Sequence, residues 1–360
     1  MTRVFYFCKM KEVDYIIVGC GLAGISFNEL CIQYNKTCVV FEDHSQNSTE
    51  IAGGLYNPVV LKRFSEVWKA KEQLEQAYPF YHSLEKKLNH KFFHEIPLYR
   101  RLNSIEEQNN WHVATDKSNL QNYLNSKLEE LNNPELFAPF KFGKVNQTGY
   151  CDTQLLKQLY LAYLNQNQIL QNKSFDYNQL QITKEQVTYQ DIKAKKIIFA
   201  EGFGVQKNPF FNNLPLDGTK GELLLIESSE LQISQIINSS IFILPIGKNK
   251  YKVGATYNWK DKTTNTTKEA REELETNLKE LIKCEYRIIE HYAGVRPTVR
   301  DRKPLVGKHY LYGNIYIING LGTRGVMFAP FLAHQLYNYI ENNIPLDKEI
   351  DIQRIYKKIL

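Results

Sequence analysis

An apolar run, Val13-Asp14-Tyr15-Ile16-Ile17-Val18, leads without a break into Gly19-Cys20-Gly21-Leu22-Ala23-Gly24. Eighteen residues after the last of these glycines stands Glu42, closing a second apolar run, Cys38-Val39-Val40-Phe41. A chain that begins this way is committed to a βαβ unit with a glycine-rich first turn, the pattern that binds an adenine dinucleotide. Gly19 permits the sharp turn off the strand, Gly21 admits backbone close to a pyrophosphate, and Gly24 lets the helix pack against the strand. The helix opening at Leu22 and Ala23 offers free N–H groups and the positive end of its dipole to phosphate. Glu42 is placed to accept hydrogen bonds from both ribose hydroxyls, and its charge disfavours a 2′-phosphate. The spacing alone leaves open which dinucleotide is bound.

Composition sets outer bounds. With 360 residues the chain can form two domains or one large one, and 43% hydrophobic residues support a sizeable core. The net charge of +6 is mildly basic, which permits a nucleic-acid partner without indicating one. Six cysteines (Cys8, Cys20, Cys31, Cys38, Cys151 and Cys284) form no C-x-x-C pair and no dense framework, a usage that fits a reducing, cytoplasmic setting. No apolar run approaches the roughly 20 residues of a membrane helix, and no metal site is expected. Residues 1–9 read as a dispensable extension or a mis-assigned start.

Further along, a loop over 43–58 ends in Ala52-Gly53-Gly54-Leu55-Tyr56-Asn57-Pro58. A helical pattern over 65–88 is expected to break near Pro79. Strand-like runs follow at 92–102, then a capping box, Ser104-x-x-Glu107, and a helical pattern over 117–131. Asp152 is a plausible N-cap for a helix to 165, and 221–257 is rich in strand signals. Thr266-x-x-Glu269 is expected to cap another helix, and the chain closes with a strand, a glycine loop and a helix. The order suggests a discontinuous cofactor domain with a substrate domain inserted in two pieces.

Three later motifs bear on chemistry. Ile197-Ile198-Phe199-Ala200-Glu201-Gly202 reads as a buried strand and turn that closes under a cofactor, or simply as a strand and turn. In Gly294-Val295-Arg296-Pro297 an arginine is held on stiff backbone. It suits bidentate binding of a carboxylate, and equally an ion pair with Asp301 or another acid. Gly320-Leu321-Gly322-Thr323-Arg324-Gly325 lies at a strand-to-helix junction, where it brings backbone and a helix dipole to a ligand, or is an ordinary turn with Arg324 on the surface.

Together these motifs resemble the D-amino-acid oxidase/glycine oxidase superfamily of FAD-dependent oxidoreductases over nearly the whole chain. The resemblance also rests on Lys220-Gly221-Glu222 and on Pro245 followed by Val253-Gly254-Ala255-Thr256. It implies an α/β fold (α+β overall): a Rossmann-like FAD-binding domain at 12–78, 141–213 and 295–350, with an inserted, mainly antiparallel β-sheet substrate domain at 79–140 and 214–294. Gly19, Gly21, Leu22, Ala23, Gly24 and Glu42 would hold the ADP half of FAD, with Ala200 and Gly202 beneath it. Ala52, Gly53 and Gly54 would lie by the isoalloxazine ring, and Gly322, Thr323 and Gly325 at its pyrimidine edge. Arg296 would bind the carboxylate of an amine or amino-acid substrate that gives a hydride to flavin N5, with oxygen or another acceptor taking the electrons.

Three residues depart from glycine oxidases. Phe242 stands where a tyrosine is often found, Tyr257 is expected to line the pocket instead, and Arg324 comes one residue late in its loop. The form G-L-G-[ST]-R-G is more similar to the oxidase that trims carboxymethylaminomethyl-uridine in transfer RNA. Arg296, Arg324, Phe242 and Tyr257 are therefore the expected catalytic set. A tRNA partner stands as an alternative, with Lys193, Lys195, Lys196, Lys248, Lys250 and Lys252 as candidate phosphate contacts, and a non-catalytic flavin-binding protein is the third reading.

Overall fold

A computed structural model describes residues 10–359; the expectation for residues 1–9, and Cys8 with it, lies outside them. The strand Lys11–Val18 pairs in parallel with Cys38–Glu42 on one side and Ile192–Phe199 on the other. Leu170–Asn172 extends the sheet beyond Cys38–Glu42, and Ile315–Asn319 beyond the end of Ile192–Phe199, both in parallel. Such strands are covered on both faces, which is why their sequences are continuous apolar runs. Alternation still sorts the side chains: Tyr15 and Ile17 enter one core cluster, Ile16 and Val18 the other. The helices Leu22–Gln33 and Ala70–Leu88 both pack on the closing helix Gly325–Glu341 across the first of these clusters.

The second large sheet runs Arg287–Arg296, Thr219–Glu227, Lys250–Gly254, Phe242–Pro245, Ile236–Asn238, Leu98–Arg101, Phe142–Val145, Leu124–Glu129. All its pairs are antiparallel except Ile236–Asn238 with Leu98–Arg101. One face carries Leu224, Ile226, Ile243 and Val253 against Leu274 and Leu278 of the helix Lys268–Lys279. Leu223 and Phe242 line a cleft on the other side.

Several local expectations shift. The helix Ala70–Leu88 continues through Pro79, because Leu74, Ala77, Tyr81 and Leu84 bury one stripe that outweighs a lost backbone bond. Residues 124–129 are an edge strand rather than helix, since pairing with Phe142–Val145 overrides local propensity. Thr267, not Thr266, accepts from Ala270 N–H at 3.3 Å, whereas Ser104 and Asp152 cap as expected. The boundary expected at 78/79 falls inside Ala70–Leu88, that at 294/295 inside Arg287–Arg296, and Phe142–Val145 joins the antiparallel sheet. No helix among the described residues is long and apolar enough to cross a membrane.

The closing helix ends in an ionic clasp. Glu341 accepts from Tyr15 Oη, Lys36 Nζ and, at 3.0 Å, Lys196 Nζ, joining its helix to the turn after Leu22–Gln33 and to two strands. Burial alone would raise the Glu341 carboxyl, but these donors outweigh it and hold the pKa at about 2. Its stabilisation is therefore present above the ordinary carboxylate range and is lost as the pH falls toward 2. Glu341→Gln should cost about 1–2 kcal/mol at pH 7, and the gap should be clearly narrower at pH 3. Urea unfolding at the two pH values checks both the size and the sign.

Candidate functional site

The parallel strands end in a cleft with two lobes, the first about 270 Å³ and the second about 370 Å³ in cavity volume. Leu22, Ser48, Thr49, Pro297 and Leu321 line both, so the lobes are continuous. The first lies at the carboxyl ends of Lys11–Val18 and its two parallel neighbours, a topological switch point. Gly19, Gly21, Leu22, Ala23, Glu42, Ala200 and Gly202 line it. Gly24 does not: a Cβ there would meet Gly19 O at 1.9 Å, so Gly24 serves the close approach of helix and turn. The second lobe gathers Ala52, Gly53, Gly54, Phe242, Tyr257, Arg296, Gly322, Thr323, Arg324 and Gly325.

The cleft fits an extended dinucleotide with a planar head group. Leu22–Gln33 and Gly325–Glu341 both begin at its wall, at Gly21 and Arg324, without a side-chain cap. Their first N–H groups are thus open to a ligand, whereas the helix Thr153–Gln166, which starts with Thr153 on the wall of the second lobe, is capped by Asp152.

Glu42 reaches the first lobe already engaged. Its Oε2 accepts from Cys20 N–H at 2.6 Å, and its Oε1 from His44 N–H and Lys157 Nζ, each at 3.1 Å. Lys157 was missed by sequence reasoning. It is 2% exposed and also pairs with Glu50 Oε1 at 2.8 Å. The available signal was a charged residue on the stripe Leu156, Tyr160, Leu164 of the helix Thr153–Gln166, where only a paired lysine is tolerated.

Glu201 lines the same lobe, and its neighbours among the described residues, Asn208, Tyr177 and Asp43, include no cation. It accepts from Tyr177 Oη and, at 2.7 Å, from Asn208 Nδ2. Burial raises its pKa to about 7, against the ordinary 4.5, despite these two donors. Between those values the folded protein holds a proton that the unfolded chain releases, so stability falls as pH rises from about 5 to 8. Glu201→Gln should remove that part of the slope, changing the pH 5-to-8 difference by on the order of 2–3 kcal/mol. Urea unfolding across this range reads it.

The only charged groups among the described residues lining the second lobe are two guanidinium groups, set among apolar side chains and uncharged polar ones such as Asn57, Asn238 and Thr323. Arg296 ends the strand Arg287–Arg296, and its guanidinium carbon is 4.7 Å from the centre of the Tyr257 ring. Its Nη1 donates to Thr256 O at 3.2 Å and weakly to Lys220 O at 3.4 Å. Asp301 is not its partner; that carboxylate faces Arg354 at 3.3 Å. Arg324 is turned into the cleft, donating through Nη1 to Asn57 O at 3.1 Å. Burial lowers the pKa of both arginines, that of Arg324 to about 10. Phe242 covers Gly53, where a Cβ would lie 2.7 Å from the ring, while Tyr257 is 61% exposed at the mouth.

The lysines considered as phosphate contacts do not share a face. Lys193, Lys195 and Lys196 pair with Glu12, Asp14 and Glu341 on the parallel sheet, while Lys250 and Lys252 lie in the antiparallel sheet, with Lys248 in the turn just before them. Lys252 points inward and donates to Ala52 O at 3.3 Å. The five described cysteines are free and buried, and no group of His, Cys, Asp and Glu among the described residues is placed to hold a metal.

The guanidinium of Arg296 lies directly over Gly221, where an added Cβ would approach its Nη2 to 2.0 Å. Gly221→Ala should push this flexible group aside and weaken the binding of an added anion such as acetate at Arg296 at least about tenfold, roughly 1.4–3 kcal/mol. Titration with acetate followed by intrinsic fluorescence tests this.

A family model described as DAO, FAD dependent oxidoreductase, matches residues 14–338. The tRNA 5-methylaminomethyl-2-thiouridine biosynthesis bifunctional protein MnmC of Legionella pneumophila (strain Corby) is 24% identical over 244 residues, covering 59% of this chain. The match spans about a third, 35%, of that relative's length. Glycine oxidase of Bacillus subtilis (strain 168) is 24% identical over 159 residues, 42% of each chain. The solved glycine oxidase from Geobacillus kaustophilus shares the fold, with a TM-score of 0.77 over 96% of this chain and 98% of that one at 16% identity.

Proposed function

The chain belongs to the DAO family of FAD dependent oxidoreductases, and from that premise we propose that it oxidises the C–N bond of an amino acid or related amine bearing a carboxylate. The observation that carries this reading is Arg296, which lines the second lobe with no carboxylate partner among the described residues. In this reading the uncapped start of Leu22–Gln33 receives the pyrophosphate of FAD, with Gly19, Gly21 and Ala23 around it and Glu42, Ala200 and Gly202 toward the ADP half. Ala52, Gly53, Gly54, Gly322, Thr323 and Gly325 surround the ring. Bound FAD supplies the hydride acceptor at N5.

The protein's own part is binding and orientation. Arg296 fixes the substrate carboxylate, Phe242 closes the wall beside Gly53, and Tyr257 stands at the mouth. The described residues lining this lobe include no Asp, Glu, His or Lys. With none of these to take a proton from an ammonium substrate, the reactive species is the free amine, so kcat/KM should rise with pH up to the pKa of the substrate amine. The test is anaerobic bleaching of the flavin by glycine, sarcosine, D-amino acids and N-carboxymethyl amines. At least one should reduce it, and Arg296→Leu should weaken its binding about 10- to 100-fold, roughly 1.4–3 kcal/mol, without loss of FAD. Failure of every carboxylate-bearing amine to bleach the flavin defeats the reading.

A second reading, oxidation of a carboxymethylaminomethyl group on a tRNA nucleoside, is supported by the similarity to MnmC. Tyr257, 61% exposed at the mouth, and Trp259, 43% exposed two residues further on, offer stacking surfaces for a base. Binding of tRNA that weakens with salt supports it; no binding at low salt ends it.

A further inference from the structure

Arg296 and Arg324 are the only charged residues among those described as lining the second lobe, and no acid lines it. Their neighbours are largely apolar, among them Leu55, Leu61, Leu98, Leu223 and Met327. Two cations held in such a wall, with no counter-charge, are costly unless a ligand supplies it. Each guanidinium has five N–H donors. Arg296 uses one nitrogen on two carbonyl oxygens, and Arg324 uses one on the carbonyl of Asn57. Neither leaves an unbonded nitrogen sealed inside protein, unlike Arg101 and Arg354, so the spare donors open on the cleft. Both guanidinium groups line this one lobe, and that of Arg296 lies 4.7 Å over the ring of Tyr257, which lines it too. Arg63, on the exposed turn between Val59–Val60 and Ser65–Glu66, adds a further positive charge close to Arg324.

We propose that the second lobe takes an amine carrying two carboxylates, one held by Arg296 and the other by Arg324. The proposal rests on the oxidation reading for the amine alone; recognition of two carboxylates needs no turnover. Arg296 alone satisfies a monocarboxylate and leaves the guanidinium of Arg324 unbalanced. A dianion balances both, and the fork geometry of each arginine suits a carboxylate.

The test uses the FAD-loaded enzyme and unreactive ligands. Acetate, malonate and succinate are titrated while the visible flavin spectrum is followed. At least one dicarboxylate should bind tenfold or more tightly than acetate, and Arg324→Gln should bring that ratio to within about twofold. Equal affinities for mono- and dicarboxylates in the unaltered enzyme overturn the proposal, and this comparison needs no variant. A ratio that survives in Arg324→Gln also overturns it, and assigns Arg324 to balancing charge on the cofactor instead. The same enzyme is then mixed anaerobically with glycine, sarcosine, aspartate and iminodiacetate. Tight dicarboxylate binding without bleaching by any amine keeps the two-carboxylate site and sinks the oxidation reading. Bleaching by glycine without any dicarboxylate preference does the reverse.

Discussion

Backbone touches backbone where the first helix leaves the parallel sheet, and the site depends on that closeness. A Cβ on Gly24 would sit 1.9 Å from Gly19 O, and one on Gly19 would sit 2.5 Å from Ala200 O. Helix, turn and the end of Ile192–Phe199 are thereby drawn into one layer, with Gly19 N–H bonded to Phe41 O at 2.8 Å and Ala200 N–H to Val18 O at 2.7 Å. Side chains at these points would force the helix start away from the strand ends and open the first lobe to solvent. The positive φ of +100° at Gly19 excludes most L-residues for a second reason.

The two lobes differ in electrostatic character, and the difference follows from the elements that build them. The first is made at the ends of buried parallel strands and holds its charges in pairs: Glu42 with Lys157, and Lys157 with Glu50. The second is made where the antiparallel sheet meets two glycine loops, and its charges are unpaired. Paired charges give a rigid socket. Two cations with no acid among the described residues lining their lobe favour an anionic occupant, which is what the proposed reading asks of the second lobe.

Glycine and arginine positions were legible in sequence because each needs an unusual backbone or an unusual partner. The glycines at 19, 21, 53, 54 and 322 line the cleft, and Arg296 and Arg324 come together although 27 positions separate them in the chain. What could not be read depends on distant pairing. The strand at 124–129 exists because Phe142–Val145 lies beside it. The state of Glu201 depends on how completely Tyr177, Asn208 and the surrounding core exclude water. Lys157 looks like any lysine on an amphipathic helix until two carboxylates from other segments converge on it. Asp301, the acid weighed as a partner for Arg296, pairs instead with Arg354, 58 residues downstream of that arginine.

The ammonium of Lys157 grips one carboxylate from the second strand and another from Ser48–Ile51, the short helix that runs into Ala52, Gly53 and Gly54. The wall of the second lobe is thus moored to the socket of the first. Sequence drift within residues 48–54 that reshapes the choice of substrate also pulls on Lys157, and through it on Glu42 and the Cys20 amide. Change in the shape of the cleft is therefore less restrained in the opposite wall, around Phe242 and Tyr257, which is held by packing on Gly53 and Arg296 rather than by an ion pair to Lys157. Specificity in a lineage built on this arrangement is free to wander on one side of the cleft and is restrained on the other.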